Sequence, residues 1–404
     1  MANWPIAGTP ATSPVATLVR PHGRRGVPWS AVAAAACLAT AHVPAGSAET
    51  PVTLAIRAGR IETAAGDPVE NGVILVSGGR IQAVGADVAV PEGADVLDAA
   101  GGVVVPGFVH AATSLGCSGT SADKPASNPQ YSMAEELYPF QDVYKRAAQA
   151  GFTTLHLTNG APGIAGQGAL VSTRTDSVES MLLSDRGPLL ISFRADTETQ
   201  NAIKGALEAA SKDPSPGPET APLKWAVEGE IPTIVFCPRP GDILYVLKLV
   251  EPYKSMRPAV VCLSDDLYLM AEQLAQAKVP VVVPARIAFE RFTRNRINIP
   301  RVLDEAGVKV VCTTSHNGLE AFAGFRAGMA ELVRGGLSRA AALRACTRHP
   351  AEVLGLDYRL GTIEPGKDAN LVVLDGDVFD LRATVRRVLV EGQTVYDSGW
   401  GGIR

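Results

Sequence analysis

Gly102-Val-Val-Val-Pro-Gly-Phe-Val-His-Ala-Ala-Thr-Ser-Leu-Gly116 is the stretch that decides the fold. A β-branched run, a Pro-Gly break and a second apolar run predict a buried strand entered from a tight turn. Further apolar runs follow at Gly151–Leu157, Leu189–Phe193, Pro232–Cys237, Ala259–Leu263, Val279–Val283 and Val308–Cys312. Helical patterns alternate with them, around Ser132–Ala150, Asp242–Val250, Asp266–Ala277, Pro300–Ala306 and Leu319–Gly335, with Ser338 capping a last helix through Thr347. That alternation is the mark of parallel βαβ units. It supplies seven strands and leaves an eighth without a place. Gly160–Thr173 is expected as a Gly-rich loop. It lacks both the Lys-Ser/Thr ending of a P-loop and dinucleotide-binding spacing. Pro214–Pro222 is expected as a surface loop.

The two flanks read differently. Residues 52–104 carry short runs (Val52–Arg57, Ile61–Thr63, Val73–Ser77, Arg80–Val84) between Gly-containing turns, the pattern of successive hairpins. Residues 361–396 repeat that pattern, with Leu371–Leu374, Val385–Val390 and Gln393–Tyr396.

The opening stretch resembles the first barrel strand of the amidohydrolase superfamily, Pro-Gly-Leu-Ile-Asp-Ala-His-Thr-His-Leu-Gly, at Pro106, Gly107, Phe108, Val109, Ala111, Thr113, Leu115 and Gly116. Gly361–Asp375 and Ala340–Gly355 also resemble the family's C-terminal pattern, closest to its imidazolonepropionase-like branch. The resemblance covers most of the chain beyond residue 50 and is weakest over Ala195–Glu230. It implies an α/β fold: a distorted TIM-type (β/α) barrel over residues 105–357. Beside it, a composite β-sandwich domain is implied, built from both chain ends, residues 51–104 and 358–404.

The resemblance also implies a zinc or similar divalent-metal site at the strand ends, and there this chain departs from the family. The two histidines of the first strand fall on Ala112 and Ser114. Those of the next matched segment fall on Phe236 and Pro238, a fifth ligand position on Leu263, and the catalytic Asp on Ser315. A methyl group or a neutral hydroxyl does not replace imidazole as a ligand. No metal or other cofactor is therefore expected, and Phe236 and Leu263 are expected to fill the barrel mouth with apolar volume. A Ser114–His316 dyad across the last and first strands, oriented by Asp265 or Asp266, is the metal-free catalytic alternative. Asp265-Asp266 also reads as a helix N-cap and first turn. His156 reads as a core histidine and His349 as a cation at a helix C-terminus. Arg291, Arg294, Arg296 and Arg301 form a basic cluster whose default is solvated charge.

Composition bounds the function classes. The 404 residues are 46% hydrophobic with formal charge -4, globular and without an electrostatic footprint for nucleic acid. Residues 1–50 read as an export leader: His22, Arg24 and Arg25 precede the apolar run Ala31–Ala41, with a small-residue cleavage site at Gly46-Ser47-Ala48. The paired arginines leave general and twin-arginine secretion both open. No segment is long enough to span a bilayer. Beyond Cys37, five cysteines without regular spacing (Cys117, Cys237, Cys262, Cys312, Cys346) are no disulfide framework and are expected as buried thiols. The combined expectation is an exported, periplasmic or secreted pseudoenzyme, associating with itself or with an intact amidohydrolase. The alternative is a hydrolase of non-peptide C–N bonds with a rebuilt, metal-independent site.

Overall fold

The computed structural model describes residues 52–116, 126–316 and 318–399. The expected leader, with Cys37, and Cys117 lie outside the described residues. Among the described residues no helix is long and apolar enough to cross a membrane.

Strands Leu54–Ile61, Val69–Ser77, Arg80–Gly85 and Asp95–Pro106 come from one chain end, and Leu371–Leu374, Val385–Val390 and Gln393–Asp397 from the other. All seven hydrogen-bond into one mixed sheet. The two halves join where Asp95–Pro106 runs antiparallel to Leu371–Leu374, with Val103 opposite Leu374 and Pro106 opposite Leu371. In its hydrogen bonding this composite domain is one continuous sheet. Ile56, Ile61, Ile74, Val104, Leu371, Val373 and Leu389 form its own core. Burying each such side chain contributes about 1.5–3 kcal/mol.

The sheet runs directly into the barrel. Pro106 ends the Asp95–Pro106 strand, and Phe108 begins Phe108–Thr113, the first barrel strand. Between them a Cβ on Gly107 would come within 2.1 Å of Thr153 Oγ1. The Gly107 N–H donates to the Asn370 carbonyl at 2.8 Å. The Pro-Gly break is thus a close-packed crossing between sheet and barrel.

Phe108–Thr113 pairs in parallel with Phe152–Leu157. Leu189–Ser192, Pro232–Phe236, Arg257–Val261, Val281–Pro284 and Val310–Thr313 follow as a parallel series. These are the seven strands read from the sequence. The eighth place is taken by the stretch expected to be a loop. Ala169–Ser172 runs antiparallel to Phe152–Leu157, and Gly163–Gln167 runs antiparallel to Leu189–Ser192. One reversed strand, broken only at Gly168, therefore fills the gap, and every residue from 163 to 172 is buried. Its glycines permit close approach and not flexibility: a Cβ on Gly168 would sit 2.0 Å from His156 Nε2.

One helical expectation changes, and a helix is added that the sequence reading did not offer. Ser132–Ala150 is not one helix but a 3-10 turn, Met133–Glu136, and a helix, Asp142–Gln149. Pro139 lies between them, and a proline ring is not accommodated in a helix interior. In the weakly matched region, Thr197–Lys212 is a helix whose first turn is capped by Asp196 accepting the Thr199 N–H at 2.7 Å.

Candidate functional site

In a parallel barrel the strand C-termini form the mouth where chemistry is done. Ala112 lies within the first strand, half-buried and packed on the core, and Ser114 is exposed just beyond it. Phe236 closes its strand half-buried against the core, with its carbonyl accepting the Phe193 N–H at 2.9 Å. Pro238 and Ser315 are exposed. Leu263 is 50% exposed. The expectation that Phe236 and Leu263 jointly plug the mouth is corrected at Leu263: two residues past the end of Arg257–Val261, it turns outward instead of packing.

Of these six positions only Ser114 and Ser315 carry a side-chain oxygen, and both are neutral hydroxyls. Among the described residues no three His, Cys, Asp or Glu side chains converge to hold a metal ion. The donor set does not fit the divalent metal that the resemblance implies, and no catalytic step is derived through one.

The alternative dyad is not assembled either. Among the described residues no hydrogen bond joins Ser114 to His316. The His316 carbonyl accepts from the Thr314 hydroxyl at 3.1 Å, and its ring Nδ1 lies 3.9 Å from Glu320 Oε1. The acids proposed to orient it are engaged elsewhere: Asp265 pairs with Arg286 at 2.6 Å and Asp266 with Arg291 at 2.9 Å. Asp266 stands at the N-cap of the 3-10 turn Leu267–Met270, as the capping reading expects, but its side chain makes no cap hydrogen bond and pairs with Arg291 instead. Arg296 pairs with Glu331 and Arg301 with Glu305, so most of the basic cluster is neutralised within the chain.

What occupies the junction of last and first strands is His110. No backbone ladder links Val310–Thr313 to Phe108–Thr113. Instead, His110 Nε2 lies 3.0 Å from Thr314 Oγ1 and 3.2 Å from Thr313 Oγ1. The Thr314 hydroxyl donates to the His316 carbonyl, so its oxygen accepts from His110 Nε2–H. The ring packs against Phe152 and Phe322, with centroids 5.4 and 5.6 Å away. His156 Nδ1–H donates to the Ala111 carbonyl at 2.7 Å. His110 Nδ1 and His156 Nε2 are buried without a partner among the described residues. Burial, with neighbouring His156 adding to it, lowers the His110 pKa to about 3. Burial lowers that of His156 to about 4 against the opposing Ala111 hydrogen bond. Both are neutral packing elements. Sequence reasoning placed His110 on the first strand but missed its bridging role, which depends on side chains over 200 positions away.

His349 is corrected as well. It lies in the first turn of Arg348–Val353, not at a helix C-terminus. Its Nδ1–H donates to the Val310 carbonyl at 2.8 Å, and burial lowers its pKa, so it is no cation there. Cys237, Cys262, Cys312 and Cys346 are buried free thiols, and burial raises the pKa of each. Inert thiols of this kind do not supply thiolate ligands.

The model of the amidohydrolase family matches residues 167–395. N-acetylglucosamine-6-phosphate deacetylase from Danio rerio is 46% identical over 56 residues, which span 14% of this chain and only 13% of that relative. Among solved structures, an amidohydrolase from Thermotoga maritima MSB8 has a TM-score of 0.74 at 22% identity, covering 85% of this chain and 100% of that one. A prolidase complexed with N-methylphosphonate-L-proline has a TM-score of 0.56 at 17% identity, with coverage of 85% and 100%. At these identities the likeness speaks for the fold, a TIM-type barrel with a β-rich domain. With the family match extending over more than half its length, the chain belongs to the amidohydrolase family.

Proposed function

We propose that this chain is a pseudoenzyme of its family: an exported, metal-free protein serving as a structural or binding subunit of an oligomer, with itself or with a metal-loaded relative. The observation that carries the reading is the donor chemistry at the mouth. Ala112, Ser114, Phe236, Pro238, Leu263 and Ser315 stand where ligands and the catalytic acid would be needed. Fold alone does not confer the activity of relatives. The competing reading, C–N bond hydrolysis through Ser114 and His316, lacks the hydrogen bond between nucleophile and base that it requires.

The test is metal analysis of the purified full chain beside an assay for deacetylation of N-acetylglucosamine 6-phosphate, the substrate class in the relatives' names. Well under 0.1 equivalent of zinc, iron, nickel or manganese is expected, with no turnover above background. One equivalent of tightly held metal, or turnover abolished by a chelator, would overturn the pseudoenzyme reading. Turnover that resists chelators but is lost in Ser114→Ala and His316→Ala would establish the competing one. For the oligomeric role, purification from the native host should yield a complex, and a monomer alone would remove that part.

A further inference from the structure

The opposite end of the barrel carries a cavity of about 620 Å³, reaching the N-terminal ends of Arg257–Val261, Val281–Pro284 and Val310–Thr313. Its apolar lining includes Met256, Val279 and Val353, each under 10% exposed and therefore fixed by the core. Four cations, Lys254, Arg257, Lys278 and Lys309, line it against two acids, Glu251 and Glu352. Glu352 is already matched by Lys309 at 2.7 Å and by Arg348 from outside the cavity, also at 2.7 Å. Arg257 is steadied by donating Nη2–H to the Glu230 carbonyl at 3.1 Å and has no carboxylate partner among the described residues. Among the described residues Lys254 and Lys278 likewise have no carboxylate partner. The lining is therefore net positive by two charges on a chain whose total is -4.

Lys278 adds an independent sign. It closes the helix Ala271–Ala277 with φ 53° and ψ 31°, the left-handed conformation in which glycine is the favoured residue. A lysine held there sacrifices stability, and such local strain concentrates at functional positions.

We propose that this cavity binds a small amphipathic anion, a carboxylate or phosphate monoester with a short apolar chain. The head sits among Lys254, Arg257 and Lys278, and the chain lies on Met256, Val279 and Val353. The site is separate from the barrel mouth, so it stands whether or not the chain is a pseudoenzyme.

The experiment is calorimetric titration of the full chain with hexanoate and hexyl phosphate, with hexanol and inorganic phosphate as controls. One equivalent of at least one amphipathic anion should bind, at least tenfold more tightly than either control, and more weakly as salt is raised. Tighter binding of hexyl phosphate would assign a phosphate ester, and tighter binding of hexanoate a carboxylate. Lys254→Gln and Lys278→Gly should each weaken binding at least fivefold. Lys278→Gly should also raise Tm by about 1–2 °C by relieving the backbone, so its loss of binding is not a loss of fold. No binding of either anion, equal binding of hexanol, or unchanged affinity in both variants would overturn the proposal.

Discussion

His110 and His156 are single residues whose burial sets an acid limit on the whole molecule. Their pKa values in the fold, about 3 and about 4, lie below the unfolded value of 6.5. Acidification below pH 6.5 therefore adds protons to the unfolded chain that the native state refuses, and stability falls. Near pH 5 the two together cost about 4 kcal/mol relative to pH 7.5. Denaturant unfolding at both pH values should show that loss, and His110→Gln should remove about half of the pH-dependent difference while lowering stability at neutral pH. At Gly107 the residue-scale limit is steric. Gly107→Ala drives a methyl group into Thr153 and should destabilise by about 1–3 kcal/mol, read as a lower denaturation midpoint with an unchanged slope.

Among the elements, the parallel strands were legible because strands buried on both faces read as continuous apolar runs bounded by turns. Val281–Pro284 and Val310–Thr313 lie within two residues of their expected starts. The reversed strand Gly163–Ser172 was not legible, because glycines selected for close backbone contact look like loop glycines when the contact is unseen. The same holds for Asp265 and Asp266, whose spacing suits a cap but whose partners, Arg286 and Arg291, come from a later loop. At the candidate sites, the residue types at the six mouth positions could be read from the sequence, but their exposure could not: Leu263 turns outward where packing was expected. The cationic cavity at the other end could not be read either, although Arg257, Lys278 and Lys309 each stand at or just before an apolar strand run.

Across the whole molecule, the flanks hold together through an ion-pair chain as well as a sheet. Arg80 of the first flank lies 3.8 Å from Asp368 of the second; Arg359 bonds Asp368 at 2.5 Å and Glu391 at 2.9 Å, and Glu391 also meets Arg174 at 3.3 Å, tying the C-terminal turns to the end of the reversed barrel strand. The Asp368 side chain is 3% exposed. Arg359→Ala leaves that buried carboxylate with only Arg80 at 3.8 Å and should cost about 3 kcal/mol, the low end for a broken buried pair, in equilibrium unfolding. The exposed Lys204–Glu208 pair provides the control: Lys204→Ala should change stability by no more than about 0.5 kcal/mol.

The pairing of Val103 with Leu374 bridges some 270 positions of chain. During synthesis at roughly 5–20 residues per second, the Asp95–Pro106 strand waits tens of seconds for that partner. Closing so long a loop from a random coil would cost about 5 kcal/mol in chain entropy, so the intervening barrel has to shorten the span before the edge is covered. Until then the nascent N-terminal hairpins expose an open β edge, and a chaperone has that interval in which to hold it.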